Sequence, residues 1–546
     1  MQADEQVPVL IAGGGLVGLS LAMFLAQQGV ASVAVERLSR GGSPVPRAAH
    51  FHLRTLELFR LAGVEDEVKR QSEQEFLPEG GIIAMDSLAG RKLFDVIGSL
   101  NAGVEEVSPC RRLFITQPGL EPILRRRARQ AGAAVLEGHA VTGFEQDADG
   151  VTVHAQDTET GRERVFRAAY LVGADGAHST VRDLLGIPFD GRGVFSNSIT
   201  IYFEADLAPQ MLGKPISVIY INSPAFGGFF RLAKDCQSGF LVVNTVGDPR
   251  TNPEVANAAK DTSPERLIEF VRAGAGVPDL AVRITGLARW RATADVARHF
   301  QAGRVFLAGD AAHLMPPNGG FGGNTGVHDA HNLACKLAAV LGGVADPRLL
   351  ETYEAERRPV SRFTVEQAYT RYVTRTATYL NATDFEPLAA DFDIELGYLY
   401  HSDAILAEDE SESAEAPLHM DPRHARGRPG ARAPHVWVEH AGRRLSTLDL
   451  FGGGFVLLAG AQGDAWCEAA PAVQQTLPGL HLDWYRSGAE LQTADAAGTL
   501  EDALGIGPAG AVLVRPDGFV GWRQPTLAPD PRASLADALH RLLRRA

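Results

Sequence analysis

A chain of 546 residues exceeds what one hydrophobic core usually organises, and with 45% hydrophobic and 22% charged residues it reads as a globular protein of two or three domains. The formal charge of -14, from 52 Lys and Arg against 66 Asp and Glu, argues against a general affinity for nucleic acid or an anionic membrane. No stretch is apolar for long enough to span a bilayer and Met1–Pro8 lacks a basic lead into an apolar run, so the expectation is a cytoplasmic protein. Cys110, Cys236, Cys335 and Cys467 lie far apart, which points to neither a zinc site nor a disulfide framework.

In chain order, an apolar run at Val7–Ala12 predicts a strand, Gly13–Gly15 a tight turn, Leu16–Gln28 an amphipathic helix and Ser32–Glu36 a second strand. A helix is expected over Gln117–Ala131, then a strand at Ala134–Glu137 and a hairpin of Val141–Asp147 with Val151–Gln156, turning at Asp149-Gly150. Tyr170–Ala174 returns as a buried strand. From Val194 to Val246 the pattern becomes β-rich without regular helices, as in an antiparallel sheet inserted into an α/β domain. Arg304–Ala308 is again a strand, and a helix over Thr325–Leu341 follows a proline- and glycine-rich loop. Ala404–Ala433 has the composition of a linker or exposed loop. Val436–Glu439, Phe455–Leu458, Ala511–Arg515 and Phe519–Trp522 then read as strands, closed by a helix near Ser534–Arg545. The domain expectation is therefore a discontinuous nucleotide-binding domain over 1–190 and 280–400, an inserted sheet over 191–279, a linker over 401–433 and a small α/β domain over 434–546.

The strongest local signal is Gly13-Gly14-Gly15-Leu16-Val17-Gly18 followed by Glu36. Gly13 permits the turn, Gly15 lets the backbone approach a pyrophosphate, and Gly18 lets helix and strand pack closely. The helix start supplies amide donors and partial positive charge, and Glu36 can accept ribose hydroxyls. Gly505-Ile506-Gly507-Pro508-Ala509-Gly510 has the same spacing but precedes a strand, so it is a turn. His50 and His52, without further ligands nearby, do not make a metal site, and none is expected elsewhere. Arg125, Arg126, Arg127 and Arg129 read as a solvated helix face, with a phosphate-binding site as the alternative.

Two further stretches carry a resemblance. Gly173-Ala174-Asp175-Gly176-Ala177-His178-Ser179-Thr180-Val181-Arg182 resembles the second fingerprint of the group A flavoprotein aromatic hydroxylases, the para-hydroxybenzoate hydroxylase-like superfamily. Gly303 to His313, with Gly309-Asp310 at its centre, resembles the third. The run Asn324-Thr325-Gly326-Val327-His328-Asp329-Ala330-His331-Asn332-Leu333 is similar to the hydroxylases of tetracenomycin- and angucycline-type aromatic polyketides, with His328 where many relatives have Gln. The three motifs stand in family order over roughly the first 370 residues.

What the resemblance implies is a Rossmann-like FAD-binding domain with an inserted antiparallel substrate sheet. FAD would be bound noncovalently by Gly13, Gly15, Gly18, Glu36, Arg47, Gln117, Asp175, Asp310, Pro316, Gly320, Gly322, Gly323 and Asn324, with Asp310 at the ribityl hydroxyls and Pro316 near the reactive edge of the flavin. In the implied reaction NADPH, in preference to NADH, reduces the flavin, molecular oxygen adds at its C4a carbon, and one oxygen atom passes to a polycyclic aromatic small molecule. The cofactor carries the hard chemistry, so no protein nucleophile and no catalytic side chain are assigned. The C-terminal part, opening at Arg432-Ala433-Pro434-His435-Val436-Trp437, resembles the thioredoxin-like domain of phenol hydroxylase-type relatives, but Cys467 has no neighbouring cysteine for dithiol chemistry. The partners implied are the substrate and, at most, a second copy in a homodimer. The alternatives are a flavin oxidase, a Baeyer-Villiger-like enzyme on the same scaffold, or a flavin-binding accessory protein with little turnover.

Overall fold

The computed structural model describes residues 5–39, 50–78, 80–211, 216–222, 226–244, 260–376, 382–408, 417–494 and 499–545. The chain opens with β1 (Glu5–Ala12), α1 (Leu16–Gln27), β2 (Ser32–Glu36), β3 (His50–Phe51), α2 (Leu53–Leu61), α3 (Glu65–Glu75), β4 (Gly81–Met85), β5 (Lys92–Ile97) and β6 (Leu113–Phe114). It continues through α4 (Gln117–Gln130), β7 (Ala134–Glu137), β8 (His139–Gln146), β9 (Val151–Asp157), β10 (Glu163–Gly173), α5 (Thr180–Leu185), β11 (Phe189–Glu204), α6 (Ala208–Met211), β12 (Ile216–Asn222), β13 (Gly227–Leu232) and β14 (Ser238–Asn244). Next come α7 (Pro264–Ala275), β15 (Arg283–Ala297), β16 (Gln301–Ala302), β17 (Val305–Leu307), β18 (His313–Leu314), α8 (Phe321–Leu341), α9 (Glu351–Arg371) and α10 (Asp391–Glu395). The last stretch holds β19 (Trp437–His440), β20 (Arg443–Ser446), β21 (Phe455–Ala459), α11 (Asp464–Thr476), β22 (Leu482–Arg486), β23 (Gln492–Thr493), α12 (Leu500–Leu504), β24 (Ala511–Val514), β25 (Val520–Gln524) and α13 (Pro531–Leu542).

The first sheet runs β16-β17-β10-β1-β2-β7, with β1 parallel to β2 and β10, and β10 parallel to β17. Val9, Leu10 and Ile11 are fully buried because both faces of such a sheet are covered, which is why β1 is a continuous apolar run and not an alternating one. The β8–β9 hairpin continues from β10 by antiparallel pairing. α4 starts on Thr116, whose side chain accepts from Gly119 N–H, with a proline in its first turn.

The second sheet runs β18-β15-β11-β14-β13-β12-β4-β5. It alternates: Ile199, Ile201, Ile219, Ile221, Phe230 and Leu241 face a core with Leu267, Phe270 and Val271 of α7. Their neighbours Ser198, Thr200, Tyr220, Phe229 and Arg231 therefore lie on the opposite face. The sheet is larger than the segment 191–279 expected for it, because β4 and β5 pair into it from residues 81–97 and β15 and β18 extend it to residue 314. The parallel β12–β4 pairing joins residues far apart in the chain, and no turn signal advertises it.

In the last unit the strand order is β22-β21-β24-β25, with β21 and β22 parallel and the other pairs antiparallel. Trp466 and Val473 of α11 pack with Leu535 and Leu539 of α13 on one face, while Val438 and Leu448 cover the other. A buried ionic cluster fastens this unit to α8 and α9. Arg515 donates to Glu356 at 2.7 and 2.9 Å, Lys336 donates to Glu356 at 2.7 Å, and Asn332 donates to Asp517 at 3.1 Å.

The exposed linker expected over 401–433 is corrected in its described parts. Gly430 N–H donates to Val520 O at 2.8 Å, and buried Arg432 donates to Val107 O at 2.7 Å. These backbone and guanidinium pairings hold the segment against both neighbouring units, which its polar composition conceals. Asp409 and Glu410 of its acidic run lie outside the described residues.

Candidate active site

β1 delivers its last residue to a turn that only glycine can make. Gly13 has φ of 108°, and a β-carbon there would overlap the Ala174 carbonyl oxygen; one on Gly18 would overlap Gly13 O. At Gly15 the surroundings are open, since a β-carbon would meet only Glu121 Oε1, at 3.6 Å. Gly15 starts α1 without a side-chain cap, so the first amides of α1 point into this opening. Buried Glu36, at the end of β2, accepts Gly14 N–H at 2.7 Å and Leu38 N–H at 2.9 Å, which fixes its carboxylate at the rim. An open glycine cradle, a helix N-terminus and a fixed acid fit the pyrophosphate and ribose of an FAD adenosine half.

α4 brings Gln117 and Glu121 to the same opening. Gln117 Nε2 donates to Glu121 Oε1 at 3.3 Å, and the Leu16 amide also hydrogen-bonds the Glu121 carboxylate. Burial raises the Glu121 pKa to about 7; Arg125 opposes the rise and Glu36 adds to it. Sequence reasoning missed Glu121, and its one available signal was its position one helical turn after Gln117. Arg125 corrects the solvated face expected for the arginine run: it is buried, with Nε 3.2 Å from Glu137. Arg47 lies outside the described residues.

The second and third fingerprints meet through Arg182. Its Nη1 donates to Ala177 O at 3.3 Å and to Ala311 O at 3.4 Å, and its guanidinium covers the Phe189 ring. Asp175 turns back on its own loop, accepting Val181 N–H at 3.1 Å, while its Oδ1 is buried without a hydrogen-bond partner. Asp310 sits exposed in the turn after β17, directed by the residue before it: Gly309 N–H donates to Asp329 Oδ2 at 3.1 Å. Fully buried Asp329 also receives His313 Nε2 at 2.8 Å and Arg357 Nε at 2.7 Å. Burial works against its charge, and Arg357 and His313 overcome it to hold the pKa below the ordinary carboxylate value. The motif run advertised Asp329, but not the two partners from β18 and α9.

The glycine-rich loop differs from expectation in where its helix begins. α8 starts at Phe321, four residues before Thr325, on Gly320 in the left-handed region with φ of 72° and no side-chain cap. Gly322 and Gly323 therefore lie in the first helical turn, whose amides have no intrahelical acceptor, and Asn324 closes that turn. The Asn324 side chain is committed to the protein: Oδ1 accepts His52 N–H at 2.9 Å and Thr55 Oγ1 at 2.7 Å, and Nδ2 donates to His50 O at 2.9 Å. Pro316 is buried and Pro317 exposed at the loop's entry. His328 stacks on Tyr398 and lies 3.2 Å from Thr55 Oγ1; burial keeps its pKa well below the ordinary histidine value.

Across from the loop lies the aromatic face of the second sheet. Tyr220 is hydrogen-bonded to Asn318, whose Nδ2 donates to Thr376 Oγ1 at 2.6 Å in a π-helical turn, Tyr372–Thr376, that ends α9. Trp290 is held by donating to Thr200 Oγ1 at 3.0 Å. Arg371 ties the end of α9 to Asp391 at 2.7 Å and lies over the Phe321 ring. Among the described residues, no group of three or more His, Cys, Asp or Glu could hold a metal ion, and no helix is long and apolar enough to cross a membrane.

A glycine cradle on one sheet facing a loop, and an aromatic-floored second sheet beyond it, define a flavoprotein scaffold. Two family models agree: "FAD binding domain" over residues 6–368 and "Aromatic-ring hydroxylase, C-terminal" over residues 426–546. The chain belongs to the FAD-dependent aromatic-ring hydroxylases. It is 50% identical over 540 residues, 99% of this chain and 98% of the relative, to a 4-methyl-5-nitrocatechol 5-monooxygenase of Burkholderia sp. It is 37% identical over 567 residues, 100% of this chain and 98% of the relative, to the tetracenomycin A2 monooxygenase-dioxygenase of Streptomyces glaucescens. Among solved structures, a ternary complex of aklavinone-11 hydroxylase with FAD and aklavinone superposes with a TM-score of 0.91 at 39% identity, covering 100% of both chains.

Proposed function

We propose that this protein places a phenolic ring between the glycine-rich loop that ends at Gly320, with the start of α8, and the aromatic face of the second sheet, and hydroxylates it. The observation that carries this is the Tyr220–Asn318 hydrogen bond, which ties the floor of the sheet to the loop after β18. FAD, when bound, supplies the exchange of two electrons with NAD(P)H and the activation of dioxygen. Gly13, Gly15, Gly18 and Glu36 would hold the adenosine diphosphate half, with Gln117 beside it. Asp310 would accept from the ribityl hydroxyls. Gly320 and the first-turn amides of Gly322 and Gly323 would face the pyrimidine edge, where a helix N-terminus favours negative charge, with Asn324 holding that turn against His50 and His52. Pro316 would stiffen the loop beside the ring system.

The protein's contribution is to bind, orient and exclude water. The names of relatives support a nitrocatechol or a polyketide as the molecule that carries the ring. NADPH in preference to NADH, a monomer or homodimer, a cytoplasmic site of action and a thioredoxin-like but redox-inert C-terminal unit complete the reading. Their support is family likeness, the βαβ-ββα order of the last unit and its single cysteine, Cys467. The test is a panel of catechols, nitrocatechols and polycyclic phenols with the FAD-loaded protein. The expected result is substrate-stimulated NADPH oxidation, outpacing NADH, with a product heavier by one oxygen. NADPH oxidation that no phenol stimulates would overturn the proposal.

A further inference from the structure

We propose that the Arg231 guanidinium, in the slot between Phe76 and Phe114, is a binding site for an anionic oxygen of the aromatic substrate, so that the favoured substrate is an acidic phenol such as a nitrocatecholate. Arg231 follows Phe230, whose ring belongs to the α7 core, so alternation turns the guanidinium to the face that carries Tyr220 and Phe229. It is 3% exposed and lies over the Phe76 ring at 3.8 Å and the Phe114 ring at 3.9 Å. Those rings satisfy the faces of the cation. The in-plane N–H donors are another matter, because Nε and Nη2 are buried without a hydrogen-bond partner.

Among the described residues no carboxylate takes up this charge. Of the described acids Glu75 bears on it, and its two oxygens already accept Thr116 N–H at 2.7 Å and Gln71 Nε2 at 2.9 Å. Burial lowers the Arg231 pKa to about 9, which still leaves it a cation at neutral pH. A buried cation with free donors is stabilised by an acceptor, and charge-assisted bonds to an anionic oxygen are the strongest available.

The slot is coupled to the loop. His50 stacks on Phe114 with ring centroids 4.7 Å apart, and a β-carbon on Gly320 would come within 2.9 Å of His50 Cβ. Gly320, His50, Phe114, Arg231 and Phe76 thus form one column from the loop to the sheet. His50 is neutral, its pKa pushed well below the ordinary value by burial and then by His52, Arg112 and Arg231, and its Nε2 is also buried without a partner. An oxygen bound at Arg231 as phenolate leaves its ring richer in electrons, which suits attack on an electrophilic oxygen. The assignment of the ligand as substrate rests on the hydroxylase reading.

The test uses FAD-loaded protein titrated at neutral pH with 4-nitrocatechol, whose absorbance reports its ionisation, and with uncharged 4-methylcatechol. The wild-type protein is expected to bind 4-nitrocatechol as the anion. Arg231→Met is expected to weaken that binding roughly 10- to 100-fold while changing 4-methylcatechol binding less than about twofold, with Arg231→Lys recovering part of the loss. FAD content and thermal melting report folding; if Arg231→Met does not fold, Arg231→Gln replaces it. Equal loss for both probes, no loss for either, or a bound probe that is protonated would each overturn the proposal. Product formation by the wild-type protein with 4-methylcatechol and NADPH tests the hydroxylase reading separately.

Discussion

Glu121 stands at the mouth of the glycine cradle, its Oε1 3.6 Å from where a β-carbon on Gly15 would lie, so a buried carboxyl meets the same α1 amides that a pyrophosphate would use. Its pKa of about 7 lies above the ordinary 4.5, so between those values the folded, FAD-free chain binds more protons than the unfolded one. Stability therefore falls as pH rises through that window, by about 3 kcal/mol in full. FAD affinity should also fall as pH rises through neutrality, since an ionised Glu121 repels the pyrophosphate. Glu121→Gln should flatten both profiles in thermal melts and FAD titrations. Identical profiles for wild type and variant would contradict this.

Asp329 joins β18, α8 and α9 and accepts from Gly309, the residue before Asp310. Asp329→Asn leaves the fully buried Arg357 guanidinium without its anion, and the expected loss is about 3 to 5 kcal/mol of stability. FAD should be released more readily as well, because the Gly309-Asp310 turn loses its tether. An unchanged melting temperature and unchanged FAD retention would count against this role.

Burial raises the Cys467 pKa to about 11, with Glu490 adding to the rise, so the group is a thiol at neutral pH. Cys467→Ser should leave substrate-stimulated NADPH oxidation unchanged, and the native thiol should react slowly with an aromatic disulfide reagent. Loss of turnover in a folded, FAD-loaded variant would give this thiol a part in the reaction.

Local signals made much of the site legible. The turn at Gly13, the packing at Gly18 and the acid at Glu36 fall within one strand-helix-strand unit, and Gly309-Asp310 follows a strand three residues long. What sequence could not reveal is non-local. β4 and β5 enter the second sheet by pairing with a strand far along the chain, and Arg125 and Glu121 acquire their burial only when α4 packs beside α1 and β7. Gly322 and Gly323 have poor helix propensity, so the sequence alone points to a later start for α8; the left-handed Gly320 sets the start, and Phe321 is anchored by packing against His52 and Arg371. Arg231 reads as an ordinary strand residue until Phe76 and Phe114 close over it.

Transfer of one oxygen atom from dioxygen to a phenolic ring is tested by labelled dioxygen. FAD-loaded protein, NADPH and a nitrocatechol or polycyclic phenol are incubated under isotopically heavy oxygen, and the product is weighed by mass spectrometry. The expected product carries one labelled oxygen atom. Label found only in peroxide or water, beside an oxidised product without added oxygen, would contradict it.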